Sequence, residues 1–367
     1  MKEMKKKLGD YITQRREKNT FDDLPICGVC REGLIPPKQQ DADISLYNVF
    51  YKNDFIFNPA RMELNSITLN TQHDKAICSS LYEIFYINDT SILLPEFLFV
   101  QLKTDNFIRF CEFQGQGSVR EYCRFANISE YPVMVPDIKE QQKIVDTYNA
   151  ITNRIRIKQK INENLEKQTQ LMFDELFMNT KNDLIQLNEI VDINPERNLK
   201  KGLTYKSFEM ASLPTKNAIP TSYELKEYNG GMKFKNGDTL MARITPCLEN
   251  GKAAYMNLLD DNEIAFGSTE YIVLSAKKEI PSSFNYFLVR NEDFITYAVK
   301  HMNGSSGRQR VSGEDIGNYK LSKPRPEDLQ NFDLLANRTL SIMREASMEI
   351  NKLEQLKNFV VSQISKR

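Results

Sequence analysis

The chain has 367 residues, of which 41% are hydrophobic and 27% charged, with 49 basic side chains against 49 acidic ones. This length exceeds an ordinary domain and this composition suits a folded globular protein, so a disordered chain is excluded and two domains are expected. The balanced charge excludes a uniformly basic protein, so any nucleic-acid surface must come from local clusters of Lys and Arg.

The first nine residues, Met1 to Gly9, are basic but lead into no apolar core, and no window approaches the ~18 apolar residues of a membrane span. A cytoplasmic protein without a membrane partner is expected. Basic clusters follow at Lys5-Lys6-Lys7 and Arg15-Arg16. Cys27-Gly28-Val29-Cys30 has the spacing of half a zinc site, which Cys78, Cys111 or Cys123 would have to complete. No second pair exists, so the six cysteines read as reduced packing thiols and no metal is expected.

Asn58-Pro59-Ala60-Arg61 comes nearest to the Asn/Asp-Pro-Pro-aromatic tetrapeptide of adenine methyltransferases. Ala60 stands where the second proline belongs and Arg61 where the aromatic would stack a flipped base, so that chemistry has no seat. Residues 80–87 read as a strand. Phe113-Gln114-Gly115-Gln116-Gly117 mimics a cofactor loop, but residues 118–127 are too short and polar for the helix such a loop opens.

Residues 137–178 contain no Gly or Pro. Ile144, Tyr148, Ile151, Ile155, Leu165, Met172 and Leu176 fall there on an alternating 4-3 spacing, interrupted by Lys158, Asn162 and Thr169. This predicts one long helix with an apolar stripe. Beyond it, Glu224-Leu225-Lys226 has local nuclease spacing without a partner acid, Asn236-Gly237-Asp238 marks a turn, and residues 270–274 read as a strand. Residues 327–367 carry a second stripe through Phe332, Ala336, Met343, Ala346, Ile350, Leu353, Val360 and Ile364. Two equal stripes are simplest to bury against each other. Phosphate loops of the Walker type are absent, and His73 and His301 are the only histidines, so neither ATP use nor His-based catalysis is expected.

The chain repeats itself. Residues 94–136 and 280–324 share an aliphatic-Pro pair, then Asn106-Phe107 against Asp293-Phe294, then a Gly/Ser-rich turn. After the turn, Ile128, Tyr131 and Pro136 each stand 188 positions before Ile316, Tyr319 and Pro324. Earlier matches are looser, such as Leu8 to Ile12 against Leu187 to Val191, and residues 51–54 against 234–238. Drifting offsets of this kind mark two copies of one fold with different surface loops.

This order of globular part, long helix, globular part and long helix, with Val135-Pro136 leading to Glu140-Gln141-Gln142-Lys143-Ile144, resembles the specificity subunits of type I restriction-modification systems. The second helix start, Lys323-Pro324-Arg325-Pro326-Glu327-Asp328-Leu329-Gln330, departs from the pattern by lacking the Glu-Gln pair. The resemblance implies an α+β protein of two similar mixed target-recognition domains separated by an antiparallel coiled coil of two long helices. The implied boundaries are 1–135 and 181–324 for the domains, and 136–180 and 325–367 for the helices.

It further implies a non-catalytic, cofactor-free subunit that reads a bipartite double-stranded DNA target. Each domain would read one half, and methyltransferase subunits, two per chain, would dock for adenine methylation; an ATP-dependent restriction subunit belongs to some such assemblies. Two alternatives stay open: the recognition portion of a fused restriction-methylation protein, and a coiled-coil scaffold without DNA. Because Arg and Lys reach guanine edges and phosphates, the DNA-binding candidates are Arg15, Arg16, Arg31, Lys38, Arg61 and Arg120 in the first copy. In the second they are Lys200, Lys201, Lys206, Arg243, Arg308 and Arg310.

Overall fold

The computed structural model describes residues 6–20, 24–31, 33–37, 44–115, 122–179, 183–305 and 307–366. The first copy opens with strand β1 (Lys6–Lys7), a 3-10 turn (Leu8–Asp10) and β2 (Ile12–Arg15). Strands β3 (Ile26–Cys30), β4 (Gly33–Ile35), β5 (Asn48–Tyr51), β6 (Phe55–Phe57), β7 (Ile67–Leu69), β8 (Lys75–Cys78) and β9 (Glu83–Ile87) follow. Next come helices α1 (Pro95–Gln101), α2 (Asp105–Gly115) and α3 (Phe125–Ser129), strand β10 (Pro132–Val133) and the long helix α4 (Ile138–Phe173), which a π-type turn (Asp174–Met178) prolongs.

The second copy begins with β11 (Leu184–Gln186), α5 (Leu187–Ile190) and β12 (Val191–Ile193). It continues through β13 (Thr204–Phe208), β14 (Glu224–Glu227), β15 (Met232–Phe234), β16 (Thr239–Ala242), β17 (Ala253–Tyr255), β18 (Ala265–Gly267) and β19 (Tyr271–Ala276). Helices α6 (Ser282–Arg290), α7 (Glu292–Lys300) and α8 (Gly313–Gly317), strand β20 (Lys320–Ser322) and the second long helix α9 (Pro326–Lys366) complete it.

The two copies have one topology. One sheet runs β2-β9-β6-β7 in the first and β12-β19-β16-β17 in the second; the other runs β4-β3-β8-β5 and β14-β13-β18-β15. In each second sheet the β3–β8 and β13–β18 contacts are parallel while their neighbours are antiparallel. A two-stranded ribbon, β1-β10 or β11-β20, joins the chain start of each copy to its end. The strands are short, and β6 and β16 are buried along their whole length, as strands covered on both faces are.

The likeness extends to single atoms. In the turn before β6 the amide of Tyr51 donates to Asp54 (2.8 Å), and before β16 that of Lys235 donates to Asp238 (2.7 Å). Asn53 (φ 67°) and Gly237 (φ 88°) hold the left-handed position of this turn, which these two residue types tolerate best. The tyrosines 188 positions apart do the same work in each copy. The carbonyl of Tyr131 accepts from the amide of Leu8 (2.8 Å) and that of Tyr319 from Leu187 (2.9 Å). Their rings meet Phe107 and Phe294 edge-on at 5.0 and 4.9 Å.

The chain divides into two compact units, residues 1–153 with 353–367, and residues 154–352, so the division falls inside both long helices. In the first unit the core gathers Phe55, Phe85, Phe97, Leu98 and Phe107, with Val145 of α4 and Ile364 of α9 packed on it. In the second unit Phe173, Phe177, Phe284, Phe287 and Phe332 form one aromatic cluster. Burial of such side chains stabilises by roughly 1.5–3 kcal/mol each.

Within the second unit α4 and α9 run antiparallel: Thr169 and Thr339 share a hydroxyl hydrogen bond of 3.0 Å, and Lys158 pairs with Glu349 at 2.7 Å. The polar interruptions of the first stripe thereby acquire partners, except that the amide of Asn162 is buried without one. Glu166, one turn beyond Asn162, ties α4 to the second copy. It accepts from the Tyr286 hydroxyl, from Arg290 (3.3 Å) and from the backbone amide of Asn217 (3.0 Å).

Candidate nucleic-acid interface

In the first copy, Arg15 lies on β2 and is taken up internally. Its guanidinium donates twice to the buried Asp54 (2.6 and 3.1 Å) and lies over the rings of Tyr51 and Tyr86. Arg16 is exposed, with Nε on the Gln14 side-chain oxygen at 2.8 Å. Arg31, in the turn joining β3 and β4, and Arg61, in the 3-10 segment Pro59–Leu64, are exposed and line one recess of about 690 Å³. Tyr47, Tyr82, Leu64 and Leu81 line it too. Leu64 is 60% and Leu81 76% exposed, so this recess offers two cations beside uncovered apolar surface, which suits a base edge or sugar next to a phosphate. Lys38 and Arg120 lie outside the described residues.

In the second copy the turn after α7 brings three candidates together. Asn303 and Arg310 exchange both backbone hydrogen bonds at 2.9 Å and so close the turn that carries Arg308. Its downstream limb is zipped to the segment after β16, the amide of Thr245 donating to Gln309 (3.1 Å) and that of Val311 to Arg243 (3.0 Å). Arg310 donates three bonds to Glu270, between 2.7 and 3.0 Å, which hold that carboxyl below its usual range with help from the charge of Arg243. Arg308 is exposed at the turn, and Arg243 has a buried Nε without a partner.

The remaining candidates are dispersed. Lys206 on β13 is bound to Glu263 (2.8 Å) and Asp260 (3.2 Å), while Lys200 and Lys201 are exposed on the loop before β13. The structure therefore groups Arg31 with Arg61, and Arg243 with Arg308 and Arg310, and occupies Arg15 and Lys206 with acids. Sequence reasoning missed Arg197, which pairs with the buried Asp238 (2.6 Å) as Arg15 pairs with Asp54. It also missed Glu83 and Glu270, the acids that receive an arginine near each turn. The 188 offset gave no signal for these acids, since it sets Glu83 opposite Tyr271 and its partner Arg124 opposite Ser312.

Cys27 and Cys30 sit on β3, with Cys27 in register with Cys78 of β8, and all six cysteines are free thiols. No group of three His, Cys, Asp or Glu residues among the described residues is arranged to hold a metal ion. No helix among them is long and apolar enough to cross a membrane.

The residue that the helix-start motif singled out has a definite structural job. Gln141 is fully buried, accepts from the amide of Leu94 (2.8 Å) and donates to the carbonyls of Ile92 (2.8 Å) and Pro136 (2.7 Å). Residues 37–167, which include this motif, match the family described as type I restriction modification DNA specificity domain. This stretch of the chain is similar to a type I specificity domain.

Two relatives from Escherichia coli are the EcoAI specificity subunit, 33% identical over 132 residues, and the EcoEI specificity subunit, 27% identical over 146 residues. These stretches cover 34% and 38% of this chain but only 22% and 24% of the two relatives, so the chain matches less than a quarter of their length. The fold likeness is broader: a crystal structure of the type I restriction-modification S subunit from M. genitalium superposes with a TM-score of 0.61 at 14% identity, covering 98% of this chain and 95% of that one. The α+β architecture with a duplicated domain topology and long helices is thus that of a solved S subunit, while the specificity-domain match itself falls on the first copy and the following helix.

Proposed function

We propose that this chain is the DNA-recognition subunit of a type I restriction-modification assembly and carries out no catalysis itself. Each copy, 1–135 and 181–324, reads one half of a split double-stranded target, and the helices, 136–180 and 325–367, set the distance between the halves. Methyltransferase subunits, two per chain, dock for adenine methylation, and an ATP-dependent restriction subunit joins where cleavage occurs. The observation that carries this reading is the duplication: a specificity-domain match on one copy, and the same strand order, turn and tyrosine contact in the other.

The reading is supported by where unspent cations gather. The first copy offers Arg31 and Arg61 around one recess, and the second offers Arg308 and Arg243 beside a braced turn. A local concentration of this kind gives phosphate contacts without a net basic charge.

Titrating the purified chain with duplex DNA at several salt concentrations tests it. The expected result is binding whose logarithm falls linearly with the logarithm of salt, and no transfer of methyl groups from labelled S-adenosylmethionine by the chain alone. Salt-independent or absent binding would return the chain to a protein scaffold, and methyl incorporation without partners would make it an enzyme.

A further inference from the structure

The turn carrying Arg308 has two left-handed glycines, Gly304 (φ 124°) and Gly307 (φ 78°), so its own backbone does not fix its direction. Its fixed points are the paired amides of Asn303 and Arg310 and the side chain of Arg310, which is bound to Glu270 just ahead of β19. The amide of Arg243 in turn donates to the backbone carbonyl of Glu270 (3.0 Å). One residue thus joins the sheet, the segment after β16 and the root of the turn.

The first copy has an ion pair in the same region but at another register, since Glu83 lies opposite Phe57 of β6 as Ile272 lies opposite Met241 of β16. Glu83, first residue of β9, receives Arg124 (3.3 Å) and the amide of Phe125 (2.7 Å) at the start of α3, the counterpart of α8. In both copies, then, an acid at the head of the last strand of the sheet holds an arginine just ahead of the short helix that follows the Gly/Ser turn.

We propose that Glu270 is a positioning residue for sequence reading by the second copy: it holds Arg310 so that Arg308 and Arg243 meet DNA in one orientation. Arg310 itself is spent on Glu270 and on the carbonyl of Arg308 (2.9 Å) and works as a brace. This rests on the DNA-recognition reading above.

The test is enrichment of a random duplex DNA library by the full-length chain, wild type against Glu270→Gln, with amide hydrogen exchange of both proteins in the absence of DNA. Wild type is expected to enrich two separated sequence blocks. Glu270→Gln should lose about ten-fold in discrimination within one block, a single-contact effect, and keep the other. Its affinity for non-target DNA should not fall, because the freed Arg310 cation becomes available to phosphate; an ordinary loss of folding would lower both. Exchange should quicken at the Asn303 and Arg310 amides. The charge-swapped double variant Glu270→Arg with Arg310→Glu should recover discrimination.

Unchanged exchange at 303–310 would overturn the positioning role even if the wild type selects DNA normally. Quickened exchange with an intact sequence block, or equal loss in both blocks, would overturn the link to sequence reading. A wild type that enriches nothing would remove the DNA-recognition reading, and the inference with it.

Discussion

The two copies solve the start of their long helices differently. In the first, the amide of Gln141 satisfies one backbone donor and two backbone carbonyls. In the second, the residue 188 positions on is Leu329, buried at 6% exposure in the core with Phe332 and Ala336. One topology is therefore held by a polar clamp in one place and by apolar packing in the other. The lesson is that what repeats is strand order and turn geometry, while the fastening is free to vary, so a missing motif in one copy is weak evidence against the fold.

The largest expected effect tests the fastening the copies do share, the arginine on the buried aspartate. Arg197 and Asp238 are 8% and 1% exposed, against 24% and 2% for Arg15 and Asp54. Removing one partner of such a buried pair costs about 3–5 kcal/mol, so Arg197→Ala should approach that loss in chemical denaturation and Arg15→Ala should fall short of it. Equal losses would break the comparison.

The pH dependence has a definite sign. Burial pushes the Asp238 carboxyl above its ordinary value, opposed by its backbone bond and by Arg197. Without Arg197 it rises further, and a carboxyl raised in the folded state costs stability as pH climbs through that value. The deficit of Arg197→Ala relative to wild type should hence be larger at neutral pH than in mild acid.

A smaller effect separates the two helix starts. Gln141→Leu leaves the Leu94 amide and two carbonyls unpaired in a buried site, at about 1–3 kcal/mol, and Leu329→Gln buries an amide with no partner at a similar cost. Denaturation of the two variants checks this. A neutral Gln141→Leu would mean the polar clamp is dispensable and the copies are less different than their geometry.

The smallest effect concerns DNA. Arg308→Ala should lower the salt slope of duplex binding by about one unit, one phosphate contact. Arg310→Ala should leave the slope nearly unchanged, because its charge is already neutralised by Glu270. Titrations at several salt concentrations distinguish them, and equal slope changes would put both arginines on the phosphates.

Much of the fold was legible in the sequence because it rests on local periodicity. The stripes through Ile151 and Ile155, and through Phe332, Ala336 and Met343, are buried faces of α4 and α9, and the tyrosines at 131 and 319 occupy matching places. Order within the sheets was not legible, since β3 meets β8 and β13 meets β18 across four intervening strands, a pairing that no short-range pattern records.

The candidate site was legible only as a pool of cations. Whether an arginine is free depends on acids far along the chain: Asp54 for Arg15, Glu263 for Lys206 and Glu270 for Arg310. Pairings of that range come from the fold, so composition and clustering cannot sort spent charges from available ones.

The claim that two copies act as independent readers is tested most directly by exchanging residues 183–324 for the corresponding domain of a relative and mapping methylated adenines in cells that supply the methyltransferase. The account predicts sites in which one half of the target has changed and the other half is unaltered. Sites changed in both halves, or unchanged in both, would contradict it.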